Sequence, residues 1–266
     1  MSADMSSPPR DAVRRRPGLY GSRGRPGPSD AGIRRVAPTF GKASIRPAGS
    51  EDHLVESPAE RLVSDVLAVD PTVSTFRPQP FKVDLIEGRI CRTLEEFHEA
   101  RAKHKKRVGW KFYTPDFAAK RPSLRNLAIE VKTERHSSDV EYLQKLDRAR
   151  EILEAHTYQF LQFTAPDDSR HPIRPTMGLL VKAQLRTYLW PDAAEAERVS
   201  AACSQAGSKL GDLCRALSVS VNLAPVWLVC GVLRADLTNH PINGDLRVEP
   251  AHGDLDHLSL LKAFCK

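Results

Sequence analysis

From about residue 51 onward, apolar positions recur along the chain in short, bounded blocks. Ser57-Pro58-Ala59-Glu60 reads as a helix start, with Ser at the N-cap, Pro at the first helical position and Glu three residues after the cap. Leu62, Val63, Val66 and Leu67 continue it as one apolar face, and Asp70-Pro71 stops it. Strand-like runs follow at 73–76 and 81–86. Glu87-Gly88 is a turn signal, with a return strand beginning at 89–91. Residues 93–103 have a helical composition, with Glu95, Glu96, Glu99 and Arg101 at outward positions. Two strands at 113–118 and 127–132, joined by a turn over 120–125, precede an amphipathic helix over 138–156. That helix is expected to be capped by Ser138 with Glu141 and to bury Val140, Leu143, Leu146, Ile152 and Leu153 along one side. An apolar strand at 158–163 closes the series at Ala165-Pro166-Asp167-Asp168.

A helix, several strands, a helix and a further strand, in that order, predict an α/β fold with a mixed sheet flanked by helices. The pattern changes after the Pro-rich connection at His171-Pro172 and Arg174-Pro175. Residues 193–206, 210–217 and 223–229 predict three short helices. Runs at 231–238 and 246–249 predict two strands around a turn containing Asn243-Gly244, a strong hairpin signal. Three helices followed by a hairpin describe a winged helix. The expected organisation is an arm over 1–50, an α/β domain over 51–170, a linker over 171–192 and a winged-helix-like domain over 193–266.

Charge adds the arm. Residues 1–50 hold nine arginines and Lys42 against Asp4, Asp11 and Asp30, which accounts for the whole net charge of +7. The segment is also rich in Pro, Gly and Ser, a composition too poor in apolar surface to offset the entropy of ordering, and is read as disordered. It serves either as an arm that tracks phosphates or as a solubilising tail. No apolar segment follows the N-terminal positive residues and no membrane-spanning run occurs, so the expected location is the cytoplasm. Cys91, Cys203, Cys214, Cys230 and Cys265 show neither C-x-x-C nor zinc-site spacing and read as reduced, small apolar residues.

The informative residues are Thr114-Pro115-Asp116-Phe117 and Ile129-Glu130-Val131-Lys132. Side chains alternate along a strand, so Glu130 and Lys132 share one face while Ile129 and Val131 bury on the other. Asp116, on the neighbouring strand, would bring a second carboxylate to the same sheet edge. Two carboxylates that can hold Mg²⁺, with an ammonium beside them, suit phosphodiester hydrolysis. Each residue also has a plainer reading: a turn aspartate after Pro115, and a solvated strand face for Glu130 and Lys132. Glu60 has one as well, as the capping partner of Ser57. The basic, aromatic run 103–113 is either a solvated loop or a phosphate-contacting surface, through Lys103, Lys105, Lys106, Arg107 and Lys111.

These residues carry a resemblance. P-D, a spacer, then E-V-K is similar to the core motif of PD-(D/E)XK nucleases, the restriction-endonuclease-like superfamily. More specifically, the stretch from Glu56-Ser57-Pro58-Ala59-Glu60-Arg61 through Val69-Asp70-Pro71-Thr72-Val73 and Gln79-Pro80-Phe81 resembles the TnsA family, the endonuclease subunit of heteromeric transposases. Tyr113-Thr114-Pro115-Asp116-Phe117 and Glu130-Val131-Lys132 match that family's later motifs, and the likeness covers roughly 51–165. The resemblance implies a restriction-endonuclease-like fold with metal ligands on Glu60, Asp116 and Glu130, and the catalytic lysine on Lys132. It further implies Mg²⁺ (Mn²⁺ substituting), nicking of one strand at transposon ends, a partner DDE-type transposase, and an AAA+ ATPase regulator touched by the C-terminal domain. The alternatives are a stand-alone restriction or repair nuclease, and a non-catalytic DNA-binding adaptor.

Overall fold

A computed structural model describes residues 43–45, 53–55, 57–135, 139–204 and 206–265. Most of the arginine-rich segment lies outside these residues. Its strand β1 (Ala43–Ile45) pairs antiparallel with β2 (His53–Val55), just beyond it.

Helix α1 (Pro58–Val69) starts as the sequence predicts: the Ser57 Oγ accepts the Glu60 N–H at 3.1 Å, with Pro58 in the first turn. Next come β3 (Thr75–Pro78), β4 (Lys82–Asp84), β5 (Arg89–Cys91) and α2 (Leu94–Lys103), which Thr93 and Glu96 close with a reciprocal capping box. The expected strand over 113–118 is two strands, β6 (Phe112–Tyr113) and β7 (Phe117–Lys120), broken at Thr114-Pro115-Asp116 because proline cannot donate to a ladder. Strand β8 (Asn126–Thr133), helix α3 (Val140–Ala155) and strand β9 (Tyr158–Ala165) complete the domain. The main sheet runs β3-β7-β8-β9, antiparallel except for the parallel pair β8–β9; β5-β4-β6 form a second, smaller sheet.

Helix α1 covers one face of the main sheet, where Val63, Val66 and Leu67 join Phe117, Leu127, Ile129 and Phe163 in one core. The other face packs Ala128 and Phe160 against Leu146, Ala149, Ile152 and Leu153 of α3 and Val83 of β4. The alternation along β8 is therefore as expected, but both faces are covered, which leaves no solvated strand face. Two details of α3 differ from expectation. Asp139, not Ser138, is its N-cap, accepting the Tyr142 N–H at 2.6 Å; Ser138 lies outside the described residues. Val140 and Leu143 are 70% and 46% exposed, because the inward stripe runs through Tyr142, Lys145, Leu146 and Ala149.

The stretch expected to be a linker contains helix α4 (Ile173–Leu185), packed between α1 and α7. Ile173, Met177, Leu180 and Ala183 form its buried stripe at helical spacing, and Pro175 is tolerated in the first turn. Beyond it lie α5 (Ala193–Ala202), β10 (Ser208–Lys209), α6 (Leu210–Ala216), α7 (Ala224–Val229), β11 (Leu233–Arg234), β12 (Arg247–Pro250) and α8 (Leu261–Phe264). The three expected helices are present, and the strands form a sheet in the order β10-β12-β11. Trp227, Leu228 and Leu233 extend the same core that holds Ile129 and Phe163. Among the described residues no single helix is long and apolar enough to cross a membrane.

Helix α7 ends in a Schellman motif: the Val232 N–H reaches the Trp227 carbonyl at 2.9 Å around Gly231, whose φ is +67°. A Cβ on Gly231 would also sit 3.0 Å from the Gly253 backbone. Gly231→Ala is expected to destabilise the protein by about 1–3 kcal/mol, read as a lower midpoint in thermal denaturation.

Candidate active site

Strand β8 carries the site. Glu130 is 4% exposed, and its two carboxylate oxygens accept from the Tyr113 hydroxyl at 2.7 Å and the Tyr142 hydroxyl at 2.5 Å. The Lys132 Nζ lies 2.7 Å from Glu130 Oε1 and donates to the Tyr142 hydroxyl at 3.0 Å; its side chain is only 11% exposed. Glu130 and Lys132 thus share one face, as alternation predicts, and that face is buried under α3.

Asp116 arrives from the neighbouring edge. It sits directly before β7, where Phe117 pairs with Ile129, and its Oδ2 accepts the Val131 N–H at 2.7 Å. This bond pins the carboxylate to the strand that carries Glu130. Gln79 donates its backbone N–H to the Asp116 carbonyl at 2.8 Å from a left-handed conformation (φ +43°), a strained geometry of a kind that collects at functional sites. Burial, followed by the Glu130 carboxylate, pushes the Asp116 carboxyl well above the usual range; the Val131 bond opposes the rise and the Glu60 carboxylate adds to it. Asp116 therefore feels the charges of both other predicted acids. Carboxylate oxygens are the donors a hard divalent cation takes, and such an ion would offset the repulsion that Glu130 and Glu60 exert on Asp116.

Glu60 faces two ways. Its carboxylate accepts the Ser57 hydroxyl at 3.0 Å, yet its charge is felt at Asp116.

Residues 70–165 match the family model described as TnsA-like endonuclease N terminal. This segment is a TnsA-like endonuclease domain. The match takes in Asp116, Glu130 and Lys132 and begins one residue after α1, so Glu60 lies outside it. No curated protein matches the chain.

Three residues beside the acids of the TnsA-like domain were not expected from the sequence. Tyr113 and Tyr142 hold Glu130, and Lys145 places its Nζ 4.5 Å from the Trp110 ring centroid. Burial, with the Glu130 charge next, pushes both phenols above the usual tyrosine value, so they remain hydroxyl donors. The available signal was the spacing of Tyr142, Lys145 and Ala149 on α3, a stripe that mixes polar with apolar residues and so escapes a search for apolar periodicity.

The basic run is not drawn as a whole to the acids. The Lys103 ammonium pairs with Glu87, Lys111 donates to the Lys105 carbonyl at 3.3 Å, and Lys105, Lys106 and Arg107 are exposed. Trp110 and Tyr113, at the end of the run, reach the site through Lys145 and Glu130.

Among the described residues, the His/Asp/Glu group with ligand atoms all within 4.8 Å is Asp84, Glu87 and His104, not the three predicted acids. Its charges are already matched within the fold. Asp84 accepts from the backbone of Ile86 and Glu87 and lies 2.9 Å from His104 Nε2, while Arg89 and Lys103 pair with Glu87. Lys103, through its side-chain hydrogen bond, holds the Glu87 carboxyl below its ordinary value. The group ties the β4–β5 turn to the end of α2. The cysteines carry no disulfide, and burial pushes the Cys265 thiol up to about 12, consistent with reduced apolar use.

Glu60→Gln separates capping from metal binding, since glutamine keeps the helix-start backbone bond but supplies no anion. The expected result is cleavage lowered by about 10²-fold with the thermal midpoint unchanged. Wild-type cleavage would assign Glu60 to the helix start alone.

Proposed function

We propose that this protein is a Mg²⁺-dependent DNA endonuclease that cleaves one strand at transposon ends during cut-and-paste transposition. The observation that carries the reading is the buried edge where Asp116, fixed by the Val131 N–H, meets Glu130 and the Glu130-paired Lys132.

Glu60, Asp116 and Glu130 would hold the cation, with Mn²⁺ able to replace Mg²⁺. When bound, such an ion polarises the scissile phosphate and lowers the pKa of a coordinated water. The protein's own groups do the positioning. The Val131 N–H orients Asp116, and the Tyr113 and Tyr142 hydroxyls orient the Glu130 oxygens. Lys132, held by Glu130 and Tyr142, supplies an ammonium that aligns the attacking water or offsets charge developing on the phosphate. Lys105, Lys106 and Arg107 are exposed and suited to the flanking DNA backbone.

The second strand would be cut by a partner DDE-type transposase, and an AAA+ ATPase would regulate the assembly from the C-terminal side, on nucleoid DNA in the cytoplasm. The order α5, β10, α6, α7, β11, β12 supports reading the C-terminal part as a winged helix. Three of its arginines are engaged within the fold: Arg215 with Asp212, Arg234 with Glu249, and Arg247 with the Ala206 carbonyl. That pairing favours a protein partner over DNA for this module.

The test is strand nicking of transposon-end DNA by the full chain in Mg²⁺, in Mn²⁺ and in chelator, with and without the cognate transposase. Metal-dependent cutting of one strand that requires the transposase is the expected result. Robust cutting by the chain alone would make it a stand-alone nuclease, and no cutting under any condition would leave a DNA-binding adaptor.

A further inference from the structure

Lys145 lies one turn beyond Tyr142 on α3, half-buried on the same inward stripe. Its Nζ stands 4.5 Å from the ring centroid of Trp110, 5.4 Å from that of Tyr142 and 5.8 Å from that of Tyr113. Both tyrosines donate to Glu130, so the aromatic box that holds this ammonium is built from the same side chains that orient the acid. The two lysines of the site nevertheless differ. Lys132 is paired with Glu130, whereas Lys145 has no carboxylate partner and no hydrogen bond among the described residues.

Aromatic faces attract a cation and hold it in place, but they do not neutralise it. A half-buried ammonium held by aromatic faces, with no direct ion pair among the described residues, can offer its charge to an anion. Burial also lowers the Lys145 ammonium below its ordinary value, with the Glu130 charge opposing. Trp110 is half exposed and follows the exposed basic residues 105–107 closely in sequence.

We propose that Lys145, boxed by Trp110, Tyr113 and Tyr142, is a second substrate-facing ammonium that binds a DNA backbone phosphate beside the one being cut. The assignment rests on the endonuclease reading, in which Lys132 serves the scissile phosphate itself. It gives the exposed Trp110 a function as well: the indole keeps the lysine aimed at the duplex.

The experiment measures binding of the full chain to a fluorescent duplex across a range of salt concentrations, in Ca²⁺ or chelator so that no strand is cut. Wild type is compared with Lys145→Gln, Lys145→Arg and Trp110→Ala. One lost phosphate contact lowers the slope of log affinity against log salt by about 0.9. Lys145→Gln is expected to show that loss, with roughly 10-fold weaker binding at moderate salt. Lys145→Arg keeps the charge and should retain the wild-type slope, which a purely structural role would not predict. Trp110→Ala should weaken binding a few-fold by loosening the box. Wild-type affinity and slope in Lys145→Gln would overturn the proposal. Cleavage by wild type in Mg²⁺ with the cognate transposase present is scored separately: a flattened slope without cleavage would sink the endonuclease reading and leave the phosphate site standing. Cleavage with an unchanged slope would do the reverse.

Discussion

Replacing Asp116 with alanine is expected to reduce Mg²⁺-dependent nicking by about 10³-fold or more, because removing one preorganised electrostatic group typically costs 10²–10³. The cost should sit at or above that range, since Asp116 serves the site twice. It is one of the three acids that would hold the cation, and its bond to the Val131 N–H ties the approach to β7 to the strand bearing Glu130 and Lys132. Binding to end DNA should change little, because Asp116 is a half-buried carboxyl group that offers phosphate no positive charge. Nicking at the wild-type rate, in a preparation whose thermal midpoint is unchanged, would remove Asp116 from the chemistry and with it the proposed mechanism.

The same residue predicts a stability effect of opposite sign. Burial and the neighbouring Glu130 raise the folded-state pKa of Asp116, so the fold favours its neutral form. That contribution is fully present below the ordinary carboxylate pKa and is lost as pH climbs through the raised value. At neutral pH without divalent metal, Asp116→Asn should therefore be more stable than wild type, since its amide oxygen can still accept from Val131 and carries no charge. Each kcal/mol relieved corresponds to roughly 2–4 °C in midpoint for a protein of this size. The gap should narrow as pH falls toward about 4. Added Mg²⁺ or Mn²⁺ should raise the wild-type midpoint and leave the variant's nearly unmoved. A wild type that is the more stable of the two in chelator at neutral pH would contradict the like-charge account of this pocket. The change would also be a trade of stability against function, with the more stable variant the inactive one.

Much of the candidate catalytic edge was legible from local pattern. The alternation of Ile129, Glu130, Val131 and Lys132 set which side chains share a face, and the Ser57-Pro58 signal located the start of α1. Three features were not legible in this way. Helix α4 was hidden by Pro172 and Pro175, which read as a linker until the buried spacing of Ile173, Met177 and Leu180 is weighed against them. The inward stripe of α3 was misread toward Val140 and Leu143, since apolarity is only a proxy for burial and Tyr142 and Lys145 bury for a chemical reason. The shielding of Glu130 and Lys132 depends on α3 lying across β8, a contact between elements separated in sequence.

What the chain determined by itself is therefore the set of chemical groups and their parity: which residues are acids, which face of a strand they occupy, and where helices begin. These follow from backbone geometry that repeats every two or 3.6 residues and needs no knowledge of neighbours. Tertiary structure decided the environment: the desolvation that raises Asp116, the two tyrosines that grip Glu130, and the aromatic box around Lys145. Each of these depends on distances between distant segments. A carboxylate and an ammonium become a candidate catalytic site only when such packing removes water from between them and lets their charges act at close range.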